Sequence, residues 1–138
     1  MPTRIARTLS LALIAILSIA LTGCSAVVDD AQAPGTYQAD TDWGVSVLVL
    51  DGDHLFDQTV RLKSGVTLHL KGHWKIDTHP GDHPYTTINF TPFYSVTHDR
   101  QGVYTLASSY SIYHVPFGGI NIAADSDYGI AHRKQSRK

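Results

Sequence analysis

Beyond Pro34-Gly35 the chain alternates apolar and polar residues with a period of two. The longest such segment is 66–77. Val66, Leu68, Leu70, Gly72, Trp74 and Ile76 occupy one set of positions, and Thr67, His69, Lys71, His73, Lys75 and Asp77 the other. Successive side chains of a strand point to opposite faces, so this spacing predicts a packed face around Trp74 and a wet face carrying His69, Lys71 and His73. Residues 43–50 and 55–62 read as strands before it, joined by the turn signals Asp51-Gly52-Asp53 and Ser64-Gly65. Residues 86–93, 103–115 and 119–123 follow, with shorter strands at 35–39 and 129–133.

The links between these segments, 79–84, 98–102, 115–119 and 125–129, carry Pro, Gly or Asp, the residues that break or turn a strand. All 12 acidic residues are aspartate, and none is glutamate. Aspartate competes for nearby backbone groups and favours turns over helix interiors. No stretch after residue 24 has a helical period. About eight short strands in one domain, 34–138, must hide their edges by closing up or by stacking as two sheets. The expected fold is all-β: a single antiparallel meander of about eight strands closed as a small barrel or sandwich, preceded by a cleaved signal helix.

The first residues follow another pattern. Basic Arg4 and Arg7 precede an apolar run over 8–21, which ends in Leu21-Thr22-Gly23-Cys24, the chain's sole cysteine. A basic segment, an apolar segment and a small-residue cleavage site make a secretory signal. The apolar run is shorter than the roughly 20 residues that span a bilayer. Leu21-Thr22-Gly23-Cys24 resembles the lipobox of bacterial lipoproteins. The resemblance implies that 1–23 is a signal peptide, that Cys24 is acylated on its thiol and becomes the first residue, and that 24–33 is a lipidated tether. In enterobacterial lipoproteins an aspartate after the cysteine favours the inner membrane. Ser25 therefore implies the outer membrane, facing the periplasm. Each buried methylene contributes about 0.8 kcal/mol and one chain binds marginally, so two or three chains anchor a domain firmly.

The order Leu50-Asp51-Gly52, Phe56, Ser64-Gly65 and Gly72-His73-Trp74 resembles the meander of small lipocalin-like bacterial lipoproteins. True lipocalins carry Gly-x-Trp in their first strand, whereas here it falls mid-domain.

Charge narrows the partners. Removing Arg4 and Arg7 leaves 9 Lys+Arg against 12 Asp, formally −3, which excludes a general nucleic-acid binder. Only the tail is basic, at Arg133, Lys134, Arg137 and Lys138. The expected role is a lipid-anchored cell-envelope lipoprotein acting as a binding or structural module, not an enzyme. Its expected partners are the membrane, through acyl chains on Cys24, and an envelope protein or cell-wall polymer. One alternative is an inhibitor or immunity protein capping a cell-wall enzyme or toxin. The other is a metal-binding envelope lipoprotein.

The metal alternative rests on 77–84, where His79, Asp82 and His83 offer two imidazoles and a carboxylate that suit zinc. A fourth protein ligand is not evident there, and the residues also suit an exposed turn, which is the expected reading. No cofactor beyond the covalent lipid is expected. His69 and His73 share a strand face about 13 Å apart, too far to share an ion. His54, His98, His114 and His132 look isolated. No Gly-x-Ser-x-Gly elbow marks a nucleophile. Tyr104, Tyr110 and Tyr113 alternate with small polar residues along 104–113, a pattern that serves either a half-buried strand or an interface.

Overall fold

A computed structural model describes residues 27–99 and 101–136. The signal segment, Cys24, Ser25, Arg137 and Lys138 lie outside the described residues. The strands are β1 (Gly35–Thr41), β2 (Gly44–Leu50), β3 (Leu55–Leu62), β4 (Thr67–His79), β5 (Tyr85–Thr91), β6 (Phe93–Val96), β7 (Gln101–Thr105), β8 (Ser108–Val115), β9 (Gly119–Asp125) and β10 (Ile130–Lys134). Eight of them close into one antiparallel barrel in the order β1-β10-β9-β8-β5-β4-β3-β2, and β6 and β7 form a separate hairpin. The protein is therefore all-β, and of the two expected closures it takes the barrel.

Each wall follows from the alternation. Trp74 is 2% exposed while His69, Lys71 and His73 face solvent, so the expected register of β4 is the observed one. Leu68, Leu70 and Ile76 are half-buried behind it. Val66 departs from the pattern: it lies in the turn before β4 and is 50% exposed. β4 is long enough to serve two neighbours, pairing with β3 through Thr67–His73 and with β5 through His73–His79. Gly72 is required where it stands, because a Cβ there would lie 2.5 Å from the Thr91 carbonyl and 2.8 Å from the Phe56 ring. At the β2–β3 turn the Asp51 carboxylate accepts the amides of Asp53 (3.1 Å) and Leu55 (3.0 Å), fixing the register of that hairpin.

Two expected strands are broken. Residues 86–93 stop at Thr91, because Pro92 has no N–H to continue the ladder. Residues 103–115 divide into β7 and β8. The hairpin this creates was not legible as an element. It turns inward: Phe93, Ser95 and Val96 are buried, and Phe93 stacks on Phe90 at 4.5 Å. Gln58 of β3 receives it as a strand would. The Tyr94 amide donates to Gln58 Oε1 at 2.9 Å, and Gln58 Nε2 donates to the Tyr94 carbonyl at 3.0 Å.

The hairpin closes one end of the barrel, together with the β1–β2, β3–β4 and β9–β10 turns; this is the hairpin end. Residues 27–33 close the other, the tether end, where 51–54, 80–84 and 116–118 turn. Of the expected tether, 24–33, the described residues 27–33 pack against the barrel. Val28 and Ala33 are 0% exposed, Val28 N donates to Thr86 Oγ1 at 3.2 Å, and Tyr37 donates its hydroxyl to the Ala33 carbonyl at 2.6 Å. Asp29 and Gln32 exchange side-chain-to-backbone bonds that hold the segment as a turn. An apolar valine and alanine followed by the rigid Pro34 suit that plug better than a solvated linker. Between the two ends the lumen is filled by fully buried side chains, among them Tyr37, Leu48, Trp74, Ile88, Phe90 and Phe93.

Candidate functional site

At the hairpin end, on the outer face of β1 and β10, lies an open cleft of about 530 Å³. Gln38 and Asp40 project outward from β1, and Arg133 projects beside them from β10, opposite Gln38 in the register. Trp43 in the β1–β2 turn forms the floor. It is 8% exposed and held by a 3.1 Å bond from its ring nitrogen to the Thr97 carbonyl of the inserted hairpin. The far wall is a stacked pair: the rings of His98 and Tyr128 lie parallel, 4° apart in orientation and 3.9 Å between centroids. His98 is fixed through its amide, which donates to the Asp125 carboxylate at 3.1 Å. Gln38 Nε2 donates to both Asp40 oxygens at 3.1 Å.

The cleft thus joins a carboxylate, a guanidinium, an amide and an aromatic face, Tyr128 being 62% exposed. That mixture orients a polar ligand or a partner's loop by hydrogen bonds around one stacking surface. Sequence reasoning missed it because its residues come from three separate segments, and His98 looked isolated.

His132 also looked isolated. It is 1% exposed, its Nε2 lies 2.9 Å from Ser46 Oγ, and Gln58 Nε2 donates to the same oxygen at 3.3 Å. Burial pushes the imidazole down to about 4, so it is neutral at physiological pH. A serine and a histidine in contact suggest a nucleophile and its base. Here both are sealed in the lumen, Ser46 at 0% exposure, and the same network pins the hairpin through Gln58. Burial likewise raises the Tyr37 hydroxyl well above the usual phenol range.

The loop proposed for zinc sits at the tether end. His79 stacks on Tyr85 at 4.4 Å, and its Nε2 lies 3.1 Å from Thr87 Oγ1. Asp82 and His83 are exposed in the loop beyond it. Among the described residues, no group of three or more His, Cys, Asp or Glu side chains is placed to hold a metal ion. His54 pairs with Asp30 at 3.5 Å and lies against Trp74, with ring centroids 4.6 Å apart. The three tyrosines of 104–113 part company: Tyr104 is exposed on β7, Tyr110 packs inward against Phe93, and Tyr113 faces outward from β8.

No family model, curated protein or solved structure matches this chain. The architecture, a closed eight-stranded barrel, is consistent with the lipocalin-like expectation. No helix among the described residues is long and apolar enough to cross a membrane.

Proposed function

We propose that the chain is a lipid-anchored envelope lipoprotein whose barrel is a binding module, presenting the cleft of Asp40, Trp43, His98, Tyr128 and Arg133 to a polar partner. The observation that carries this reading is the separation of the two ends. Residues 27–33, which begin three positions after Cys24, close the tether end, and the cleft opens at the other. An acyl anchor on Cys24 then leaves the cleft facing away from the bilayer. Localisation to the outer membrane on its periplasmic face follows from Ser25 in the same proposal, with a cell-wall polymer or envelope protein as the partner.

Two experiments test it. Labelled palmitate is incorporated by the wild-type protein and not by Cys24→Ser, which accumulates as uncleaved precursor because serine cannot form the thioether. Label in Cys24→Ser overturns the anchor. The acylated protein is then used to capture partners from its own envelope, and Tyr128→Ala with Arg133→Ala removes the capture. Capture unchanged in that double variant overturns the cleft.

A second reading, a cap on an enzyme or toxin, is favoured by one feature. β7 exposes Val103 (48%) and Tyr104 (52%), and Leu106 follows at 77%, an apolar run suited to a protein surface. Loss of capture on Tyr104→Ser with Leu106→Ser, and not on the cleft variants, selects it.

A further inference from the structure

The tether end carries a side chain that neither the barrel nor the cleft uses. Phe117, in the Pro116–Gly118 turn between β8 and β9, is 108% exposed and has φ 67°, ψ 24°. A bulky residue in the left-handed region is uncommon and costs free energy. Pro116 before it and Gly118-Gly119 after it hold the turn, with Gly118 also at positive φ, 83°. The chain accepts both strain and full exposure of a large ring at one point.

What lies around that point identifies its partner. Thr86 and Ile112 are paired across β5 and β8. One position past them towards the tether end are Tyr85 and Tyr113, both on the outer wall, 53% and 36% exposed. A phenylalanine tip above two outward tyrosines is the layering of a membrane interface, with the apolar ring deepest and the amphipathic rings at headgroup depth. The first described residues lie at the same place, since Val28 N bonds to Thr86 Oγ1. From Val28 back to Cys24 is four residues, a reach of at most about 14 Å. From Ile112 to Val115, just before the turn, β8 climbs about 10 Å. A four-residue span is therefore long enough for a lipid on Cys24 to enter the same bilayer surface as Phe117. Asp29, Asp30, Asp51, Asp53 and Asp82 belong to this end together with Lys134, whose amine donates to the Gln32 carbonyl, so the exposed rings and not a one-signed charge are the attraction.

We infer that the tether end is a membrane-docking surface, in which Phe117 inserts into the acyl region of the bilayer that holds the Cys24 lipid, with Tyr85 and Tyr113 at the interface. This rests on the proposed lipid anchor. Docking at Phe117 as well as at Cys24 holds the barrel upright, where a single point of attachment would let it tumble.

The test uses the full acylated protein with Phe117→Trp, bound to phosphatidylcholine vesicles whose acyl chains carry bromine at known depth. The substituted side chain is fully exposed, so the circular dichroism spectrum should match that of the unsubstituted protein. The native Trp43 and Trp74 are only 8% and 2% exposed and give the background. The expected result is a blue-shifted added emission, quenched at least twofold by shallowly brominated lipid and protected from aqueous acrylamide. An added emission quenched by acrylamide and not by bromine, on vesicles that carry the protein in flotation, overturns the docking and leaves the anchor standing. Failure of the wild-type protein to float overturns the anchor and the docking together.

Discussion

The two ends of the barrel each use one tryptophan, in different ways. At the tether end Trp74 is 2% exposed and donates its ring N–H to the Asp51 carbonyl at 3.1 Å, within a wall of regular strands. At the hairpin end Trp43 is 8% exposed and donates at 3.1 Å to Thr97, in a segment that is not part of the barrel. One tryptophan belongs to the main core and the other clamps an insertion. The main cluster, which includes Val28 from the tether segment, runs from Tyr37 to Ile122, whereas Trp43 sits in a smaller cluster with Ala39, Val60 and Val96. The tether end is thus continuous with the core, while the hairpin end is a lid that enters the core through Phe93 and is otherwise held by the smaller cluster and a few bonds, and the candidate cleft opens beside that lid.

The largest expected effect breaks this comparison at the core. Trp74→Ala is expected to cost about 3–5 kcal/mol, the range for a buried aromatic, out of roughly 5–15 kcal/mol in all. With no disulfide to offset it, the variant unfolds at much lower urea. Trp43→Ala is expected to fall below that range and to speed amide exchange in 93–105 while β4 keeps its protection. Equal losses in both variants would contradict the distinction.

The next effect comes from acid. Unfolded His132 titrates near 6.5 and the folded imidazole near 4, so between these values the unfolded state binds a proton that the folded state does not. Stability is complete above pH 6.5 and falls as pH drops towards 4, by on the order of 3 kcal/mol. Urea melts across that range check it. His132→Asn, which cannot titrate, is expected to flatten that part of the profile even if it is less stable throughout.

Gln58→Leu sharpens the account of the lid. It removes both bonds to Tyr94 and leaves a half-buried amide and carbonyl without their partner, a loss of about 2 kcal/mol. The exchange rate of the Tyr94 amide should rise more than that of Trp74. Smallest is Asp51→Ala, which frees two exposed turn amides at the tether end and is expected to cost about 1 kcal/mol in a thermal melt.

The walls of the barrel could be read from sequence because their information is local. The inward placement of Trp74, the outward His69, Lys71 and His73, and the hairpins at Asp51-Gly52 and Ser64-Gly65 depend only on neighbours in the chain. The ends depend on residues far apart. Nothing near Val28 shows that it meets Thr86, 58 positions away, nor near His132 that it meets Ser46, 86 away. The hairpin was concealed for the same reason. The alternation of 103–115 looks continuous, and only the partners separate the two strands: β7 pairs with β6, and β8 with β5 and β9. Of the candidate cleft, Trp43 reads in sequence as the first residue of a strand but lies in the β1–β2 turn, and Arg133 reads as part of a basic tail; their meeting with His98 and Tyr128 was not legible.

The central claim is that the two ends face different surroundings, one the bilayer and one the space beyond it. Amide exchange on the acylated protein, free in detergent and bound to vesicles, tests it directly. The account predicts that vesicles add protection at 80–85 and 113–119 and leave 40–44, 97–99 and 126–130 unchanged. Added protection at the cleft, or none at 113–119, would contradict it.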